Sequence, residues 1–316
     1  MPIQSDLIEP FPSGIAILEF IIIDILLLIS FFIIIIKRKN IFAGNYDVLE
    51  LKTDNKIRGL LAVLIVLHHL SLNILYAFIL KVFSIIGIVC VAIFFFYSGY
   101  GLMLNYSKRD NYLKSFFSKR LMKIIFPYFA SMLITWLGYL LTKYKFIPRE
   151  MFNSLFDGNP FVRYSWYVLT IIVLYIVFYL SGKIFKAPKK MLIGIFIGTL
   201  IYSVTVISKF SWGNWTINSC FSFLFGAVVS VYQERFRKIL CPNKKSAISF
   251  FVILLLCGSM IAFQLLNDKF TLNKIIEFPE IADYLMTKPL SVIGMNVICF
   301  VLIVLSFWGL RKIKLN

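Results

Sequence analysis

Histidine occurs twice in this chain of 316 residues, aspartate and glutamate together 15 times, and cysteine five times. Each scarcity closes off a class of protein. Charged residues make up 15% of the chain against 60% apolar, too little to cover a water-facing surface, which excludes an ordinary soluble domain. The cysteines, at 90, 220, 241, 257 and 299, follow no metal or redox spacing. Neither a disulfide framework nor a metal is therefore expected, and no permanently bound cofactor. The N-terminal segment lacks a basic n-region, carrying Asp6 and Glu9 instead. Its apolar stretch is also too long for a signal peptide, so it is expected to persist as a helix. There is no repeat of fixed period and no low-complexity tract, and the longer connections, 143–164 and 267–288, are too short for a second domain.

What is present in quantity is long apolar runs. A helix rises about 1.5 Å per residue and needs around 20 residues to cross the hydrocarbon core. Runs that meet this requirement lie at 15–36, 58–80, 83–105, 121–142, 165–182, 190–208, 214–232, 246–266 and 289–308. The expectation is an all-α, polytopic transmembrane helical bundle of about nine helices, with the lipid bilayer as its solvent. Basic residues collect in alternate loops, after the first, third, fifth and seventh runs and at the C-terminus. These hold 24 of the 33 Lys and Arg. By the positive-inside rule those loops face the cytoplasm and the N-terminus lies outside. The same dispersal argues against a nucleic-acid partner, which would require the net charge of +18 to gather on one soluble face.

Both histidines, His68 and His69, fall inside the run 58–80. From Arg58, at the cytoplasmic mouth, to His69 is eleven residues, roughly 16 Å of helix, which sets the imidazole near the middle of the bilayer. Eleven steps of about 100° return to within about 20° of the start, so Arg58 and His69 share a face with Ala62, Ile65, Asn73 and Tyr76. His68 points about 100° away and reads as structural. An ionisable group at this depth marks a functional site or a histidine that hydrogen-bonds a neighbouring helix. A neutral imidazole can accept a proton or attack an acyl carbon.

Other polar marks are weaker. Asp24 and Glu19 in the first run suit either a proton or ion site or a carboxyl satisfied across helices. Ser98, Gly99, Tyr100 and Gly101 suit either close helix packing or backbone exposed to a ligand. Arg120 and Lys123 are spaced to share a helix face that suits either a phosphate or the basic pair ordinary at a cytoplasmic helix end, and Pro127 beyond them should kink that helix. The segment 107–120 reads equally as a helix lying in the headgroup region or as a loop. Trp166, Trp212 and Trp215 sit where an outer aromatic belt is expected.

These residues in order resemble the bacterial integral membrane acyltransferase family 3, whose members typically O-acylate cell-surface carbohydrates. The string Arg58-GLLAVLIVLH-His69 is similar to the family's basic residue, ten-residue spacer and histidine, and it selects His69 over His68. FFFYSGYGL, with Ser98, Gly99 and Tyr100, looks like the family's Ser-Gly-aromatic helix end. Phe117-SK-Arg120-LM-Lys123-IIF-Pro127 is similar to its basic helix start with proline. Trp166-YVLTIIVL-Tyr175 is similar to its Trp-aromatic-Leu helix. The chain departs from the family in three respects. Ile171 and Ile172 stand where many members carry a glutamate, so a mechanism relying on that carboxylate is excluded. Lys123 replaces the second arginine of an Arg-x-x-Arg pair, keeping the charge without the bidentate fork. Eight core spans follow the first helix, where ten are usual.

The resemblance implies one membrane domain over 1–316, with an extra N-terminal helix and cytoplasmic linker at 1–56 and an acyltransferase-like core at 57–316, shortened at its C-terminal end. It implies a multi-pass enzyme of the bacterial cytoplasmic membrane. Such an enzyme would move an acyl group, most simply acetyl, from cytoplasmic acyl-CoA to a hydroxyl of a cell-envelope glycan or lipid-linked sugar. His69 would be catalytic, as general base or as acyl carrier. Arg58, Arg120 and Lys123 would hold the CoA phosphates, and Asn73, Ser98 and Trp166 would line the substrate path. The alternatives from other classes are a transporter or lipid-linked glycan translocase using Asp24 and His69, and a nonenzymatic membrane scaffold.

Overall fold

The computed structural model describes residue 49, residues 51–73, residue 83, and residues 86–141, 161–162, 164–209, 216–240 and 288–312. Among the described residues every regular element is helical: α1 (Leu51–Asn73), α2 (Gly87–Lys108), a 3₁₀ turn (Tyr112–Ser115), a π-helical turn (Phe117–Leu121), α3 (Met122–Leu141), α4 (Trp166–Phe185), α5 (Pro188–Lys209), α6 (Phe221–Val231), α7 (Gln233–Leu240) and α8 (Lys288–Lys312). Among the described residues four stretches are long and apolar enough to cross a membrane: α2, the π turn with α3, α4, and α5 as far as Ser208. The runs 15–36 and 246–266, with Glu19 and Asp24, lie outside the described residues, as do Tyr76, Trp212 and Trp215. The chain packs as two compact units, one of Met1–Cys90 with Leu310–Asn316 and one of Val91–Gly309.

In the first unit α1 buries Ile57, Leu61, Leu67 and Ser71 and exposes Val63, Val66 and Leu72. Its helical phase therefore sorts its residues into a protein-facing and an outward face, although both are apolar. This is expected of a helix whose solvent is hydrocarbon.

In the second unit α2 is the central helix, with 78% of its span buried, against 11% for the span that contains α3. Ala92, Phe95, Phe96, Tyr97 and Met103 of α2 are fully buried. By contrast Phe126, Phe129, Leu133, Leu137 and Leu140 form an exposed stripe down α3 at helical spacing. Without a hydrophobic drive between helices in lipid, close packing has to come from small residues and backbone approach. α2 and α6 supply this through a reciprocal pair of Phe-x-x-Gly steps. A methyl built on Gly99 would fall 1.9 Å from the Phe223 carbonyl oxygen, and one built on Gly226 would fall 1.9 Å from the Phe96 carbonyl oxygen. The two backbones touch, and Gly99 of the Ser-Gly-aromatic motif is a packing residue.

The run 214–232 holds a helix shorter than its hydropathy suggests, because α6 begins only at Phe221. Ahead of it the backbone turns through residues 216–220 inside the unit, where the freed carbonyls are taken by side chains. Thr170 Oγ1 donates to Thr216 O at 3.4 Å, and Asn296 Nδ2 donates to Ile217 O at 2.9 Å. Asn296 Oδ1 accepts the Phe221 N–H at 3.1 Å and so caps α6 from α8. Non-helical backbone is tolerated at membrane depth when protein satisfies it in this way.

The glycine contact makes a test. Gly99→Ala or Gly226→Ala sets a methyl against rigid backbone and should destabilise the fold by at least about 1–3 kcal/mol. This would be read as a lower melting midpoint in detergent, whereas Gly101→Ala, with open space at its Cβ, should melt like the parent. Equal midpoints in all three variants would disprove the close approach.

Candidate active site

α1 runs without interruption from Leu51 through Asn73, so Arg58 and His69 lie on one helix face about 16 Å apart along the axis. Asn73 closes that helix at the far end of the same lane. Arg58 and His69 are both half-buried, and the Nδ1 atom of His69 is buried. Ala62, between them on the lane, is exposed. The lane therefore runs along the edge where the buried face of α1 meets its outward face.

His68, half-buried like His69, stands on the stripe of Leu61, Leu64 and Ser71, of which Leu61 and Ser71 are buried, and its ring is committed to structure. Its Nδ1 lies 3.1 Å from the Phe83 carbonyl oxygen, the geometry of an N–H donating to that carbonyl. The imidazole also presses on the start of α2, since a methyl built on Gly87 would lie 2.4 Å from it. Ser71 Oγ donates to the His68 carbonyl at 2.7 Å. The two histidine rings sit 5.0 Å apart at 56°, so the anchored ring is a wall for its neighbour. Only glycine at position 87 leaves room for this clasp.

Arg58, His69 and Asn73 belong to the first unit; Ser98, Arg120, Lys123 and Trp166 belong to the second. Within the second unit the structure sets these four at different levels. Arg120 lies in the last part of the π turn that leads into α3, half-buried with its guanidinium 6.0 Å from the Tyr112 ring centroid. Burial pushes the Tyr112 phenol above its ordinary range, while Arg120 and Arg109 pull the other way. Lys123, one turn on, is exposed. The wide π turn separates the surroundings of two residues that α-helical spacing would have paired. Pro127 lies inside α3 and leaves the Lys123 carbonyl without its helical donor. Ser98 is buried in α2 eight residues from Tyr106, about 12 Å along the axis, and Trp166 begins α4 twelve residues from Phe178, about 18 Å. Tyr106 and Phe178 both mark the Arg120 end, through Tyr106–Phe178 and Phe116–Phe178 ring contacts.

The segment 107–120 is built of short helical turns docked on α4 rather than a plain loop. Phe116, 1% exposed, plugs into an aromatic cluster with Phe178 at 5.8 Å, Tyr179 at 5.8 Å and Tyr175 at 5.9 Å, which fixes the 3₁₀ and π turns on α4. Tyr175, the last residue of the Trp-to-Tyr motif, is thereby a core residue. Sequence reasoning missed a polar node elsewhere in this unit. Thr170 Oγ1 lies 3.0 Å from Tyr202 OH, and Ser203 Oγ lies 3.5 Å from Cys220 Sγ. The signal was a stripe of hydroxyls at 199, 202 and 203 in apolar α5, followed by the run TINSCFS at 216–222.

A family model described as an acyltransferase domain, acyltransferase 3, matches residues 55–315, most of the chain. The chain belongs to acyltransferase family 3. No curated protein and no solved structure matches it. It is thus a membrane acyltransferase, an enzyme that transfers acyl groups to oxygen, and the family match extends well beyond the motifs between Arg58 and Tyr175 that carried the resemblance. The α1 lane with its histidine pair lies within the matched acyltransferase domain.

The clasp of this acyltransferase can be tested separately from its chemistry. His68→Ala removes both the bond to Phe83 and the packing on Gly87. It should lower the melting midpoint by the equivalent of about 1–3 kcal/mol, with a similar loss for Gly87→Ala. A midpoint unchanged in both variants would mean that the ring is not a structural clasp.

Proposed function

We propose that the enzyme moves an acetyl group from cytoplasmic acetyl-CoA to a hydroxyl of a cell-envelope glycan, from within a bacterial cytoplasmic membrane. About nine helices span that membrane with the N-terminus outside and the basic loops in the cytoplasm, as the positive-inside rule requires. The observation that carries the reading is the α1 lane. An imidazole stands about 16 Å up one helix face from a guanidinium, while the adjacent imidazole is occupied elsewhere.

Arg58 supplies cationic charge suited to a phosphate of CoA, as Arg120 and Lys123 each do within their own unit, and His69 lies at a depth that an extended pantetheine arm reaches from Arg58. His69 takes the proton from the acceptor hydroxyl as its oxygen attacks the thioester carbonyl. The C–S bond then breaks, and the departing sulfur receives the proton from the imidazolium, leaving the ring neutral for the next turnover. In the covalent variant the His69 nitrogen attacks first and CoA leaves as thiol. The hydroxyl then displaces the acyl group from the ring. Asn73 continues the α1 lane beyond His69, on the side from which the acceptor would approach.

In a radiolabelled acetyl-transfer assay, His69→Ala should lose at least about 100-fold in rate, while properly inserted His68→Ala keeps most of its activity per folded molecule. Comparable rates in the two variants would remove His69 from the chemistry. Arg58→Ala should weaken donor binding, and an unchanged donor affinity by titration calorimetry would leave Arg58 a purely topological role. Incubation with labelled acetyl-CoA and no acceptor separates the two routes, since only the covalent one leaves label on the protein.

A further inference from the structure

Two segments of the second unit close on each other at the Arg120 end of the helices. The turn from α4 to α5 carries Lys183, Lys186, Lys189 and Lys190, all exposed. Across segments 106–123 and 182–191 Asp110 is the single acidic residue among the described ones. Basic residues at a helix end are ordinary for a membrane protein, but this turn is built rigidly. Lys186 adopts φ 52°, a left-handed conformation costly for a residue with a Cβ. It is held there by the Tyr106 hydroxyl of α2, which donates to the Lys186 carbonyl at 2.6 Å and approaches the Gly182 carbonyl at 3.4 Å. Gly182 also packs on the 3₁₀ turn, where a methyl at its Cβ would lie 3.0 Å from Leu113. A topological signal requires charge only. A backbone held in one conformation, which sets where its lysines start, lowers the ordering cost of binding a polyanion.

Aromatic rings adjoin this cationic ledge. Lys183 Nζ lies 5.6 Å from the Tyr179 ring, and Tyr179 meets Phe117 edge-on at 4.7 Å, with Phe117 left 42% exposed. A lipid headgroup offers phosphate but no planar base, whereas a nucleotide offers both, and an exposed ring beside ammonium groups suits stacking and phosphate pairing together. We propose that this ledge holds the nucleotide end of the acyl-CoA donor, with the lysines of the α4–α5 turn on its phosphates and Phe117 against adenine. The assignment rests on the acyl-CoA reading above and adds a docking site. Tyr106 is its positioning residue, acting through the Lys186 backbone.

The test is titration calorimetry of the full chain in phosphatidylcholine nanodiscs with adenosine 3′,5′-bisphosphate, which lacks the pantetheine arm and the thioester. The parent and His69→Ala should bind alike. The triple variant Lys186→Glu, Lys189→Glu, Lys190→Glu should bind at least about tenfold more weakly. Tyr106→Phe, which changes no charge, should also weaken binding, by a factor of about three or more. Phe117→Leu should weaken the bisphosphate while leaving inorganic pyrophosphate unaffected. The ledge is overturned if the bisphosphate fails to bind the parent or binds the triple variant equally. It is likewise overturned if Tyr106→Phe is silent, or if anionic lipid added to the nanodisc competes the nucleotide away stoichiometrically. Failure of the donor reading itself would look different: the bisphosphate would bind as described, yet acetyl-CoA would give no transfer in the parent.

Discussion

Hydrocarbon does not hydrogen-bond, and that constraint governs the polar groups set within the helices. A carbonyl or imidazole at membrane depth has to find its partner in the protein or remain costly. The turn at 216–220 survives because Thr170 and Asn296 reach its carbonyls. His68 survives by bonding the Phe83 carbonyl and packing on a glycine. Where no polar partner is involved, the same solvent makes van der Waals contact the main adhesive, which is why α2 and α6 meet glycine to carbonyl.

The constraint also separates residues that look alike in sequence. Adjacent histidines in an apolar helix are chemically identical, but helical phase turns one to the buried stripe and the other to the edge of that face. The first is bonded to the Phe83 carbonyl, and the second lies on the lane it shares with Arg58. In the same way, the basic residues of the α4–α5 turn have the composition of any cytoplasmic loop. What distinguishes them is that the hydroxyl of Tyr106, from another helix, holds the backbone of their turn at Lys186.

Much of the helical organisation was legible because crossing a membrane requires little more than apolar length. The runs at 121–142, 165–182, 190–208 and 289–308 fall on α3, α4, α5 and α8 to within a few residues. The run 214–232 was not read correctly because its first turn is set by Thr170 and Asn296, 46 and 79 residues away from the carbonyls they bind. Segment 107–120 escaped a clear reading for a similar reason, since Phe116 docks on α4 rather than on anything local. Family membership was legible from four short motifs, yet the roles of those motifs differ. Gly99 and Tyr175 are packing residues, whereas Arg58 and His69 stand on one face of α1. The hydroxyl stripe of α5 was visible in outline and passed over, because serine and threonine in membrane helices so often satisfy themselves on the preceding turn.

The account turns on the two histidines doing different work. The most direct measurement is site-resolved acylation of each imidazole by diethyl pyrocarbonate, followed by fragment mass spectrometry of the peptide that carries both. It would be performed on the folded chain with and without acetyl-CoA. His69 should react and be slowed by acetyl-CoA, while His68 reacts poorly in either condition. Protection falling on His68, or on neither ring, would contradict the assignment.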